Sequence, residues 1–181
     1  MPERTITRIW PPGLLLIEDF ITVEEEIDLL KLTDFGAHTL HLKNRSVRHY
    51  GYEFQYGHNT IDRNPLPEGI PNEMLFIFKK LEKSGLSKPN QLTINHYLPG
   101  QGIPLHVDTH SSFEDGIISL SMGSDILMEF QRPDNKLQTS INLPRRSCLI
   151  MCGDSRFVFQ RFTLRRPFLM STFLDIYGVM A

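Results

Sequence analysis

QLTINHYLPGQGIPLHVD, residues 91–108, reads as two β-type runs that meet at Pro99-Gly100-Gln101-Gly102, a turn composition between alternating apolar and polar positions. The same texture continues in GIISLSM (116–122), DILMEF (125–130), LQTSINL (137–143) and SCLIMC (147–152), with Pro133-Asp134-Asn135 as a further turn. Short β runs at nearly even intervals predict a sandwich, jelly roll or barrel. Upstream, GLLLIEDF (13–20) predicts a short strand, and Thr22 is placed to cap a helix whose first turn holds Glu24, Glu25 and Glu26, running to about Thr33. Pro71 opens a second helix in PNEMLFIFKKLEKSG (71–85), with Met74, Leu75, Phe78 and Leu81 at helical spacing and Gly85 as its stop. The expected architecture is mainly β with α: a jelly roll buttressed by N-terminal helices.

With 181 residues and 21.0 kDa the chain fits one domain. Nineteen Lys and Arg against 21 Asp and Glu leave a net charge of −2, so there is no chain-wide basic field and any nucleic-acid contact must be local. The 40% hydrophobic and 22% charged content excludes a disordered or collagen-like chain. Cys148 and Cys152 are spaced as neither a zinc ribbon nor a redox pair, and we expect two reduced core thiols in the cytoplasm or nucleus. The start, MPERTITRIWPPG, lacks the apolar core of a secretory signal, and Phe168 to Ala181 is interrupted by Ser171, Thr172, Asp175 and Gly178; no membrane span is expected.

His106-Val107-Asp108 carries the sharpest chemical signal. Residues two apart on a strand share a face, so an imidazole and a carboxylate can converge on one ion. Together they make two thirds of the facial triad that holds non-haem Fe(II) with positions left open. An ordinary His–Asp pair at a strand end is the competing reading. Asn95 and Tyr97 share a face of the preceding run and offer an amide and a phenol to a carboxylate ligand. His110 continues the series of His106 and Asp108 and is a candidate substitute ligand.

These motifs occur in order within QLTINHYLPGQGIPLHVDTHSSFEDGIISLSMGSDILMEF and LPRRSCLIMCGDSR. The run resembles the AlkB family of Fe(II)/2-oxoglutarate dioxygenases, and within it most resembles the branch that hydroxylates modified wobble uridines of transfer RNA. The resemblance covers about residues 12–159, NRSVRHYGYEF included. It implies a double-stranded β-helix, iron held by His106 and Asp108, and 2-oxoglutarate contacted by Asn95 and Tyr97. That branch also carries an RNA-recognition module before the oxygenase and a methyltransferase after it, neither of which fits within this chain.

The tail departs from the pattern. In the family a distal histidine follows the Gly153-Asp154-Ser155-Arg156 region as third ligand, and Arg161 stands at that position here. A guanidinium cannot ligate a metal; near a dication it repels by roughly 4 kcal/mol per unit charge at about 4 Å and an effective dielectric of about 20. The family also places arginines on its last core strands, one of them pairing with the distal carboxylate of 2-oxoglutarate. Ser171-Thr172-Phe173 echoes that ending, but Leu174 follows where the arginine would be, and Arg165 and Arg166 come too early. A single domain over residues 1–181 is therefore expected, with a tail divergent from about residue 160 such as a splice or reading-frame variant would have. Its C-terminal strands should be incomplete, with β edges exposed unless Phe168 to Tyr177 substitutes as a strand, and its turnover impaired. The alternative is a non-catalytic RNA-binding or regulatory isoform.

On the substrate side, HYGYEFQY (49–56) alternates aromatics, which predicts one aromatic strand face including Tyr50 and Tyr52. Such a face packs in the core or stacks on an extruded base. Lys43, Arg45, Arg48 and His49 form a small basic patch that reads equally as a solvated strand end or as a phosphate contact, with Arg45 and Arg48 the candidates for the latter. Arg145, Arg146 and Arg156 form a second cluster open to the same two readings. The implied partner is RNA, transfer RNA foremost, or another single-stranded nucleic acid.

Overall fold

A computed structural model describes residues 6–32, 39–82, 89–134, 136–163, 171–178 and 180. Eight strands form one antiparallel sheet in the order β1 (Ile6–Ile9), β2 (Leu14–Ile17), β11 (Cys148–Met151), β8 (Ile117–Met122), β13 (Ser171–Tyr177), β7 (Gln91–Tyr97), β4 (Arg45–Tyr50) and β3 (Leu40–Leu42). A smaller sheet has the order β10 (Gln138–Leu143), β9 (Ile126–Gln131) and β12 (Gln160–Thr163), and β5 (Phe54–Gln55) pairs with β6 (Thr60–Ile61). This is the jelly-roll architecture expected.

Strand alternation separates two cores. Leu92, Ile94, Ile118, Leu120, Cys148, Ile150, Leu174 and Ile176 face a helical layer. Their neighbours Tyr97, Ile117, Leu149, Met151, Phe173 and Tyr177 face Ile126, Met128 and Phe130 of the small sheet, as a period of two requires. The helical layer is α1 (Val23–Lys31) and α2 (Leu75–Leu81), the latter entered through a 3₁₀ turn at Asn72–Met74. Thr22 begins α1 with a full capping box: its hydroxyl accepts from the Glu25 amide at 3.1 Å, and its own amide donates to the Glu25 carboxylate at 2.8 Å. Thr33 and Gly85, the expected helix ends, lie outside the described residues.

Three expectations are corrected here. The ending of the large sheet is not incomplete: the stretch that could substitute as a strand does so as β13, which lies between β7 and β8, hydrogen-bonded to both along most of its length, so the edges expected to be exposed are paired. IPLHVD does not form a strand; its ladder is a single bridge, with the His106 and Arg161 amides donating to each other's carbonyls at 3.0 and 2.8 Å. Pro104, two residues earlier, has no N–H to extend it. Finally, HYGYEFQY is broken at Gly51, whose φ of +80° and whose approach to the Asn90 carbonyl leave no room for a side chain. Tyr50 consequently enters the helix-side core while Tyr52 and Phe54 pack toward the inner one, and one aromatic face does not form.

Candidate functional site

A cavity of about 250 Å³ opens between the sheets, lined among others by His106, Asp108, Arg161, Asn95, Tyr97 and Asp175. His106 and Asp108 converge without a continuous strand: His106 Nε2 lies 3.6 Å from Asp108 Oδ1. His106 Nδ1 is 2.8 Å from the Pro104 carbonyl. A carbonyl only accepts, so Nδ1 carries the proton and Nε2 presents its lone pair to the cavity. Burial, and secondly the Arg161 guanidinium, hold the imidazole pKa well below its ordinary value.

Arg161 reaches the same point from β12. Its backbone bridges His106, and its Nη2 donates to Asp108 Oδ2. The family named by the sequence resemblance implies Fe(II) and 2-oxoglutarate here, and the donor set does not fit the ion. Two groups able to ligate are joined by a permanent cation hydrogen-bonded to one of them. Among the described residues, no three His, Cys, Asp or Glu side chains gather around one position. His110 does not supply the third: it is exposed, and its ring packs edge-on against Phe157 at 5.0 Å.

Asn95 and Tyr97 sit on β7 and line the cavity. The carboxylate they meet is the protein's own. Asn95 Nδ2 donates to Asp175 Oδ2 at 2.8 Å, and the Ser119 hydroxyl donates to Asp175 Oδ1. Burial raises the Asp175 pKa from 3.8 to about 6. Leu174, where the aligned arginine would stand, points the other way into the helix-side core. Asp175 is the site residue that sequence reading missed; its one signal was a carboxylate inside the otherwise apolar run STFLDIY.

The substrate-side residues scatter. Arg45 lines the cavity with its guanidinium 5.4 Å from the Tyr56 ring centre, and His49 lines it too, 8% exposed. Arg48 instead pairs with Glu68 at 3.2 Å and lies over the ring of Tyr50, which is in the core. Tyr52 is half-buried outside the cavity lining. The second basic cluster dissolves into separate partners. Arg145 binds the fully buried Glu26 at 2.7 Å, and Arg146 binds Asp19 at 2.8 Å. The buried Arg156 donates to the Phe113 carbonyl at 2.8 Å. These are fold-holding contacts, with no shared anion surface.

Residues 13–172 match the family model of the 2OG-Fe(II) oxygenase superfamily. The Xenopus tropicalis tRNA (carboxymethyluridine(34)-5-O)-methyltransferase alkbh8 is 47% identical over 164 residues, covering 87% of this chain and 26% of that protein. The Arabidopsis thaliana alkylated DNA repair protein ALKBH8 homolog is 34% identical over 175 residues, 83% of this chain and 50% of that protein. The chain thus spans a quarter to a half of the length of these relatives. The solved structure of OsALKBH1 shares the fold with a TM-score of 0.77 at 14% identity, over 96% of this chain and 100% of that one.

Proposed function

Because the chain belongs to the 2OG-Fe(II) oxygenase superfamily and is AlkB-like within it, we propose that it is an AlkB-type domain directed at RNA, a modified wobble uridine of transfer RNA foremost, in which oxidative turnover is impaired. We read it as one domain over residues 1–181. The observation that carries this reading is the hydrogen bond from Arg161 to Asp108. The side chain at the position of the third ligand is a cation, and it engages a carboxylate the metal would need. His106 and Asp108 remain the residues that would hold Fe(II), which would supply oxygen activation if bound. They could do so once Arg161 has left. The RNA assignment rests on 47% identity to a protein named as a transfer-RNA modifying enzyme, and within the cavity on Arg45 beside Tyr56.

Anaerobic titration with Fe(II) and 2-oxoglutarate tests the reading. No charge-transfer band is expected from the chain as it stands, and weak metal binding is expected to return in Arg161→His. A full band and 2-oxoglutarate turnover by the unmodified chain would overturn it. The same ion pair favours a second reading, a non-catalytic RNA-binding or regulatory form. That reading is preferred if Arg161→His binds metal while both forms bind transfer RNA equally.

A further inference from the structure

The cavity has a charge pattern of its own. Its lining carries two guanidinium groups, Arg45 and Arg161, and two carboxyl groups, Asp108 and Asp175. Arg161 is committed to Asp108, while the part-buried Asp175 is held by Asn95 and Ser119. His49 adds no charge, its imidazole being held neutral first by burial. The lining sums to no net positive charge, so bringing two negative charges past Asp175 into a low-dielectric cavity is costly even with arginine nitrogens to receive one end.

The cavity nevertheless asks for a polar occupant. Among the described residues, four buried polar atoms without a partner belong to its lining: Asn95 Oδ1, Arg161 Nη1, Arg45 Nε and His49 Nε2. Asn95 is 3% exposed and Arg161 5%, so bulk water does not serve them. Unpaired buried groups of this kind are destabilising and mark a missing partner. The orphan oxygen needs a donor. The two guanidinium nitrogens need an acceptor.

We propose that this cavity binds an uncharged molecule bearing both an N–H donor and a carbonyl acceptor, a carboxamide in its simplest form, and excludes dicarboxylates such as 2-oxoglutarate. The carbonyl takes the hydrogen bonds of the arginines, and the N–H reaches Asn95 Oδ1 and the Asp175 carboxyl. Selection comes from the floor, where Asp175 repels an anionic end group and accepts from an amide. The inference rests on the reading of the site as closed to metal by Arg161, and is independent of the RNA assignment.

Glutarate and glutaramide make the comparison, since they share a carbon skeleton and differ in charge and in N–H donors. Each is titrated with 2-oxoglutarate alongside, by calorimetry and ligand-observed NMR, into the full chain in a chelating buffer. Glutaramide should bind saturably, and at least about tenfold more tightly than either dicarboxylate. Asp175→Asn, which keeps the shape of the floor, should narrow that ratio at least about threefold by removing the repulsion, with unfolding curves confirming that the variant is folded. Tighter binding of either dicarboxylate overturns the proposal, as does failure of glutaramide to bind or an unchanged ratio in Asp175→Asn. Repeating the series with Mn(II) separates the two readings. If 2-oxoglutarate binds once metal is added, the metal-closed reading falls with the proposal; if no ligand binds under either condition, the proposal falls alone.

Discussion

Asn95 on β7 donates to Asp175 on β13 at 2.8 Å across the paired strands. The amide expected to face a ligand's carboxylate therefore faces one supplied by the chain itself. Burial and charge at this contact set several measurable properties.

Asp175→Asn is expected to stabilise the protein at neutral pH. In the fold the Asp175 carboxyl is raised from 3.8 to about 6 by burial, so between those values the folded state holds a proton that the unfolded chain releases. Stability is then lost as pH rises from the unfolded value through the folded one, by up to about 3 kcal/mol. Asparagine removes that loss. Urea unfolding should show the variant's advantage at pH 7.5 and none at pH values near 3, well below both titrations. An equal advantage at both pH values would refute the assignment.

His49 works in the opposite direction over the same range. Burial, and then Arg45, depress its pKa from 6.5 to about 4. The neutral ring is held in the fold while the unfolded chain takes up a proton. This contribution is complete above the unfolded value and is lost as pH falls toward about 4, again by up to about 3 kcal/mol. His49→Gln should flatten the acid limb of the stability profile relative to the parent chain. An unaltered limb would mean that the ring is free to charge in place.

Glu26→Ala should cost about 2–4 kcal/mol in urea unfolding. Glu26 is 0% exposed and accepts from the Gly123 amide at 2.8 Å as well as from Arg145. Its removal leaves that amide without its partner and cuts the tie between α1 and the turns around β8 and β11. A loss below about 0.5 kcal/mol would place this contact among neutral surface pairs.

Replacing Arg45 and Arg48 together by Ala should weaken transfer-RNA binding and lower the log–log salt slope by about 0.7–0.9, the share of one phosphate contact. One contact is expected because Arg48 is already engaged by Glu68. An unchanged slope would remove both arginines from the RNA surface.

The sheet and both helices were legible because their information is local and periodic. The capping box at Thr22 and Glu25 and the alternation in β7, β8 and β9 can be read without knowing what packs on them. His106 and Asp108 were legible as neighbours from their spacing of two, although the strand which that spacing presumed does not form and a single bridge to Arg161 stands in its place. Gly51 escaped as a strand breaker because the clash that forbids a side chain comes from Asn90, far along the sequence. The side on which Asp175 falls is set by which strands flank β13, and the three-residue echo at Ser171-Thr172-Phe173 drew attention to Leu174 instead. The dispersal of Arg145, Arg146 and Arg156 is likewise a matter of distant partners, since each finds its own in another part of the chain.

The place of β13 governs the order in which the molecule can be assembled. β7 and β8 do not pair with each other; each pairs with β13, and the Asn95–Asp175 contact joins residues 80 apart. Closing such long loops before any contact rewards them slows folding. On the ribosome, both halves of the large sheet must wait with facing, unsatisfied edges until residues 171–177 emerge to join them. That interval is when the nascent chain is most exposed to pairing with its neighbours.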